Sequence, residues 1–288
     1  MTAATLASAP KPRTAWVQPS ILPGFPLAMG WTLTWLGLIV VLPLTALVIR
    51  PWELGLAGVW ESLTEPRVLA ALRLSFGAAL LAALTNVPLG LLVAWTLTRY
   101  EFPGRRIVDA FVDLPFALPT AVAGIALTAI YAPTGLLGEP LAKLGIKAAY
   151  SPIGVYIALL FIGLPFVVRT VQPVLQDLDI EVEEAATTLG ATTLQRFSHV
   201  VMPAVAPALI SGFSLAFARA VGEYGSVIFI AGNMPLKSEI APLLIVIRLE
   251  QYDYAGAAVV GLAMLAISFG ALLAVNGLQL FLAGRGRR

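Results

Sequence analysis

The 288 residues include no cysteine, which excludes disulfides, thiolate metal sites and a cysteine nucleophile. Histidine occurs once, as His199, with no acid or cysteine at ligand spacing, so it is read as an interfacial polar residue. Charged residues are only 12% of the chain, against about 25% in an ordinary soluble domain. The net charge of +2 comes without the clustered basic face that nucleic-acid binding needs. No Gly-Lys-Ser/Thr phosphate loop is present, so the chain does not hydrolyse ATP by that route.

What fills the sequence instead is apolar residues, 59% of the total, with a mean hydropathy of +0.88. Uncharged runs cover 14–49, 74–98, 114–138, 148–168, 197–218 and 254–284. Each reaches the roughly 20 residues that cross a bilayer as helix. They are continuously apolar and lack the alternation of barrel strands, so the fold class is an all-α integral membrane protein of about six transmembrane helices. The expected helices lie near 28–49, 73–98, 107–132, 152–172, 204–231 and 255–282. Stretches 50–72 and 133–151 form loops on one side. Lys and Arg are more frequent on the other side, including Arg99, Arg105 and Arg106, which places both termini in the cytoplasm by the positive-inside rule.

Residues 1–20 carry Pro10, Pro12 and Pro19 and no compact apolar core, so they are a poor signal peptide and are expected to be a cytoplasmic tail. Residues 21–288 form a single transmembrane domain. Pro43, Pro88, Pro115 and Pro119 interrupt helical runs. Such kinks either border a cavity or simply shape the bundle. Asp109 and Asp113 share a face at i, i+4 and look like a carboxylate pair, but no nucleophile accompanies them, so they are read as interfacial.

The polar interval 173–203 on the cytoplasmic side is the most specific part of the chain. Asp177 or Asp179 can cap a short helix whose first turns hold Glu181, Glu183 and Glu184, where the helix dipole favours acids. Gly190 supplies a left-handed stop, and Thr192 or Thr193 can cap the next helix. The product is a helix–turn–helix elbow about 177–203, too short to be stable alone in water and in need of a surface.

Glu184-Ala185-Ala186, then Gly190, then Val200-Val201-Met202-Pro203 resemble the EAA-loop signature of ABC importer permeases, with Val200 and Met202 replacing the usual Ile and Leu. The resemblance implies a type I ABC importer permease fold in a bacterial inner membrane. It also implies that Glu184, Ala185, Ala186, Thr187, Leu189, Gly190 and Pro203 engage a cytoplasmic ATPase. ATP and magnesium would belong to that partner, and this chain would bind no cofactor and be no enzyme. A second stretch, Phe217-Ala218-Arg219-Ala220-Val221-Gly222-Glu223-Tyr224-Gly225-Ser226 through Asn233-Met234-Pro235, is similar to the T-type (U-type) subunit of sulfate/thiosulfate permeases. Residues 162–175, from Ile162-Gly163-Leu164-Pro165 to Pro173-Val174-Leu175, support that likeness. The implied partners are a second homologous permease, two ATPase subunits, a periplasmic sulfate-binding protein and membrane lipid.

Arg219 and Glu223 stand four apart and are expected on one helix face, where they can pair within the membrane. Charges at bilayer depth usually face a bundle interior or a wet pathway. The pair is therefore either a structural salt bridge or a contact for the permeating anion, with Gly222 and Gly225 permitting close helix approach or a local break. Thr120, Thr128, Ser211, Ser214 and Asn233 are candidate donors along the path. A molybdate or tungstate importer of the same architecture is the alternative, and a stand-alone secondary transporter or channel is the alternative from another class.

Overall fold

The computed structural model describes residues 24–285, and the tail expected at 1–20 lies outside them. The described residues are helical, with no strand. The chain divides into two compact units at Ala46 and Leu47. The first contains α1 (Phe25–Leu36), a π-helical turn at Gly37–Val41 and the start of α2 (Leu42–Ile49). The π turn directly precedes Pro43, whose ring excludes the normal i−4 hydrogen bond, and widening the helix by one residue absorbs that defect.

In the second unit a 3-10 turn, Arg50–Leu54, leads to α3 (Gly55–Thr64). Glu65 alone separates α3 from α4 (Pro66–Arg99). Next come α5 (Arg105–Val112), α6 (Leu114–Ala117) and α7 (Thr120–Tyr131), then α8 (Gly138–Lys143) and α9 (Pro152–Asp177). The elbow helix α10 (Ile180–Thr188) and α11 (Thr193–Arg196) precede α12 (Met202–Val221). The chain closes with α13 (Val227–Ile230), α14 (Ala241–Glu250) and α15 (Tyr254–Arg285).

Five helical runs are long and apolar enough to cross a membrane: Phe25–Thr64, Pro66–Arg99, Pro152–Asp177, Thr193–Val221 and Tyr254–Val275. The continuous helix expected over 107–132 is instead broken into α5, α6 and α7. Asp113 ends α5, and Leu118 is extended before Pro119, as the residue preceding proline prefers. Helix five also ends earlier than expected, at Val221. The interval after it is not all loop, because α14 buries Leu243 and Leu244 against α4 and α15. At ten residues α14 is too short to register as a span.

The core is the mutual packing of α4, α9 and α12. The buried face of α4 is made of small residues at three- and four-residue spacing, Ala71, Ser75, Ala78, Ala79, Ala82, Ala83, Asn86, Gly90 and Ala94, which lets backbones approach closely. Val167 of α9 packs tightly against both α4 and α12. A Cβ added at Gly90 would lie 2.6 Å from its Cγ1, and one added at Gly212 of α12 would lie 2.9 Å from its Cα. At the adjacent level Asn86 donates to the Leu160 carbonyl at 3.1 Å.

Candidate functional site

The elbow is held by local chemistry and by two arginines. Asp179 occupies the N-cap position of α10 without a side-chain cap bond, while Glu181 and Glu183 lie in the first turn. At the other end Gly190 has φ +86°. Its N–H donates to the Thr187 carbonyl at 2.9 Å, and the Ala191 N–H donates to the Ala186 carbonyl at 3.0 Å. This pair of bonds is a Schellman stop, which satisfies carbonyls the helix end would leave bare. Thr192, not Thr193, caps α11 in a reciprocal capping box with Gln195.

Arg99, at the end of α4, donates to Glu183 at 2.7 Å and to the Leu178 carbonyl at 3.2 Å. Its guanidinium carbon also lies 5.7 Å from the centre of the Trp95 ring. Arg196 donates to the Thr187 hydroxyl at 3.0 Å, tying α11 back to α10. The second arm is not the separate short helix expected. A π turn at Phe197–Val201 carries α11 straight into α12, again just before a proline, Pro203. α11, the π turn and α12 therefore form one continuous helical run, Thr193–Val221. Glu184 is exposed, as are Thr187 and Gly190, and Leu189 and Leu194 are 89% and 76% exposed.

Arg219 and Glu223 do pair, at 2.5 Å, but not as neighbours on one helix face. α12 stops at Val221, and Glu223 lies in the non-helical segment beyond it. The other carboxylate oxygen of Glu223 accepts from the Ser226 N–H at 2.9 Å and the Ser226 hydroxyl at 3.0 Å. Gly225 makes the expected close approach, since an added Cβ would meet the Thr120 hydroxyl oxygen at 2.2 Å. Gly222 does not, because nothing lies within 4 Å of such an atom there. Asn233, at φ +50°, donates to the Ile228 carbonyl at 2.8 Å and braces the turn after α13. Thr128 and Ser214 direct their hydroxyls to their own helix backbone, as such residues commonly do.

One cluster escapes the sequence. Asp109 and Asp113 both clasp Arg169 of α9, Asp113 through two bonds of 2.8 and 2.6 Å and Asp109 at 2.7 Å, and Gln172 accepts from the same guanidinium at 2.6 Å. This fastens α5 to α9. The i, i+4 acids were visible, but nothing near them named Arg169 as their partner; it lies on α9, which runs on to Asp177, past the end expected near 172. His199 sits in local contact with Ser198 and the Gln195 carbonyl. Among the described residues no cluster suits a metal ion.

Residues 86–288 match the family described as binding-protein-dependent transport system inner membrane component. The chain belongs to this family. Within that family it is 49% identical over 259 residues, 90% of this chain and 94% of the other, to the sulfate transport system permease protein CysT of Escherichia coli (strain K12). It is 50% identical over 255 residues, 88% of this chain and 89% of the other, to the CysT protein of Synechocystis sp.. The fold matches a bacterial ABC transporter involved in the import of the acidic polysaccharide alginate, with a TM-score of 0.72 at 15% identity, over 88% of this chain and 94% of that one. This is the type I ABC importer permease fold. As an inner membrane component of a transport system, the family member described here is a pore subunit, and its elbow lies within the matched region.

Proposed function

We propose that this protein is one of two permease subunits of an ATP-driven importer for sulfate and thiosulfate. The substrate reading is supported by the near-half identity to sulfate permeases across almost the whole chain. The mechanical reading is supported by one geometric observation: a short helix, α10, closed at its C-terminus by a Schellman stop, is fastened to α4 by Arg99 and to α11 by Arg196 while presenting Glu184 and Leu189 outward. A lever braced on the membrane side and open on the other is built to be gripped.

In this mechanism a cytoplasmic ATPase holds Glu184, Ala185, Ala186, Thr187, Leu189, Gly190 and Pro203. ATP-driven closure of two such ATPases pushes the elbow, rocks α12 against α4 and α9, and switches the pore between inward- and outward-facing states. A second homologous permease completes the pore, and a periplasmic sulfate-binding protein delivers the anion. Both termini lie in the cytoplasm, ATP and magnesium reside on the partner, and this chain binds no cofactor.

The test is growth on sulfate as sole sulfur source, with labelled uptake and molybdate competition. Gly190→Pro removes the positive φ, and Glu184→Arg reverses the exposed charge; both are expected to insert normally yet abolish uptake. Sulfate-dependent growth of either variant at the parental rate would remove the coupling role. Strong competition by molybdate would move the substrate to molybdate or tungstate, and uptake by the purified chain alone would favour an independent channel.

A further inference from the structure

Arg219 lies at a level spanned by α9. An added Cβ on Gly163 would lie 3.5 Å from Cβ of Ala216 and 2.5 Å from the Asn86 amide nitrogen, so these three residues share one level. Gly163 is about 17 Å from one end of α9 and about 21 Å from the other at 1.5 Å per residue, which is the middle of that span. Arg219 is one turn beyond Ala216, about 5 Å further along α12. That leaves it about 12 Å from the nearer end of α9, within the apolar span.

At that depth the Arg219 side chain is 36% exposed while that of Glu223 is 2% exposed. Leu215, Ala218 and Gly222, the other members of the same stripe of α12, are also exposed. An ionised group facing hydrocarbon there costs about 2.5–3.5 kcal/mol even on insertion scales, so this stripe faces water or protein. Glu223 is committed on both oxygens, to Arg219 and to Ser226. It fixes the guanidinium from behind.

From this geometry we infer that Arg219 forms a transient oxyanion-binding site on the pore wall, with the exposed edge of its guanidinium forking onto two oxygens of a tetrahedral dianion. The inference rests on the importer reading above. Discontinuous helices meeting near mid-membrane are where transport sites form, and here α12 breaks at Gly222 beside the start of α7, with Gly225 against Thr120. Pairing with Glu223 leaves the site nearly neutral. Binding is consequently weak, as a pathway requires if the ion is to leave.

The experiment uses the complete complex in proteoliposomes with labelled sulfate. Three forms are compared: the parent, Arg219→Lys, and the charge-neutral double variant Arg219→Gln with Glu223→Gln. Co-purification and thermal melting confirm that each assembles. Arg219→Lys keeps the charge and the ion pair but loses the fork, and the double variant keeps a polar pair without charge. Both are expected to lower maximal uptake about tenfold or more, the factor that corresponds to loss of one charge-assisted bond. Parental uptake by the double variant would overturn the site, because a purely structural pair tolerates neutral replacement. No sulfate uptake by the parent complex would overturn the importer reading itself, and this site with it.

Discussion

The elbow at 180–196 and the break at 222–226 are both interruptions of helix, and they are stabilised in opposite ways. In the elbow the end of α10 and the start of α11 are satisfied within a few residues, by the Schellman stop at Gly190 and the capping box of Thr192 and Gln195. Arg99 and Arg196 then fasten the finished unit from outside. In the break Ser226 makes no side-chain cap bond to α13. Glu223 reaches forward to Ser226, and α7 presses so closely that an added Cβ on Gly124 would lie 2.4 Å from the Ser226 carbonyl oxygen. A segment made to be pushed carries its own order, whereas a segment within the pore wall takes its order from its neighbours.

This contrast is broken most forcefully at Gly124. Gly124→Val drives a branched side chain into backbone that has no room to retreat, and is expected to cost about 3 kcal/mol or more, beyond ordinary overpacking. Failure of the protein to accumulate in membranes, or a fall of many degrees in melting temperature in detergent, is the reading. Arg99→Ala comes next. It leaves Glu183 half-enclosed without its cation and loosens α10 from α4, at about 1–3 kcal/mol. Melting should change modestly while sulfate moved per ATP hydrolysed in reconstituted complex falls severalfold.

Gly190→Ala forces a side chain into the left-handed region at about 1 kcal/mol, and partial uptake distinguishes it from the complete loss expected for proline. Thr192→Ala removes only a cap and should cost about 0.5–1 kcal/mol, visible as faster amide exchange over 193–197 with near-normal uptake. Equal effects at Gly124 and Thr192 would erase the distinction between the two interruptions.

The same distinction explains what the sequence disclosed. Gly190 and a threonine cap at 192 or 193 were legible because caps act between residues a few positions apart, and the spans were legible because bilayer thickness sets their length. The break after Val221 was not, since Arg219 and Glu223 at i, i+4 are equally compatible with an unbroken helix. Only the approach of Thr120 to Gly225 and the bonds to Ser226 decide it. The clasp of Asp109 and Asp113 on Arg169 joins residues 60 and 56 positions apart, and no local pattern announces such a pairing. α14 was missed because a mostly apolar stretch of ten residues suits a buried half-length helix as well as a loop, and its burial comes from α4 and α15.

Because the chain has no cysteine, one cysteine introduced at Leu189 or Leu194 is the sole thiol in the subunit, and paired with cysteines placed on the ATPase surface it measures directly what holds the elbow. The account predicts efficient disulfide capture of an ATPase subunit from both positions, with a yield that changes when ATP binds. Capture from neither position in a complex that still transports sulfate would contradict it.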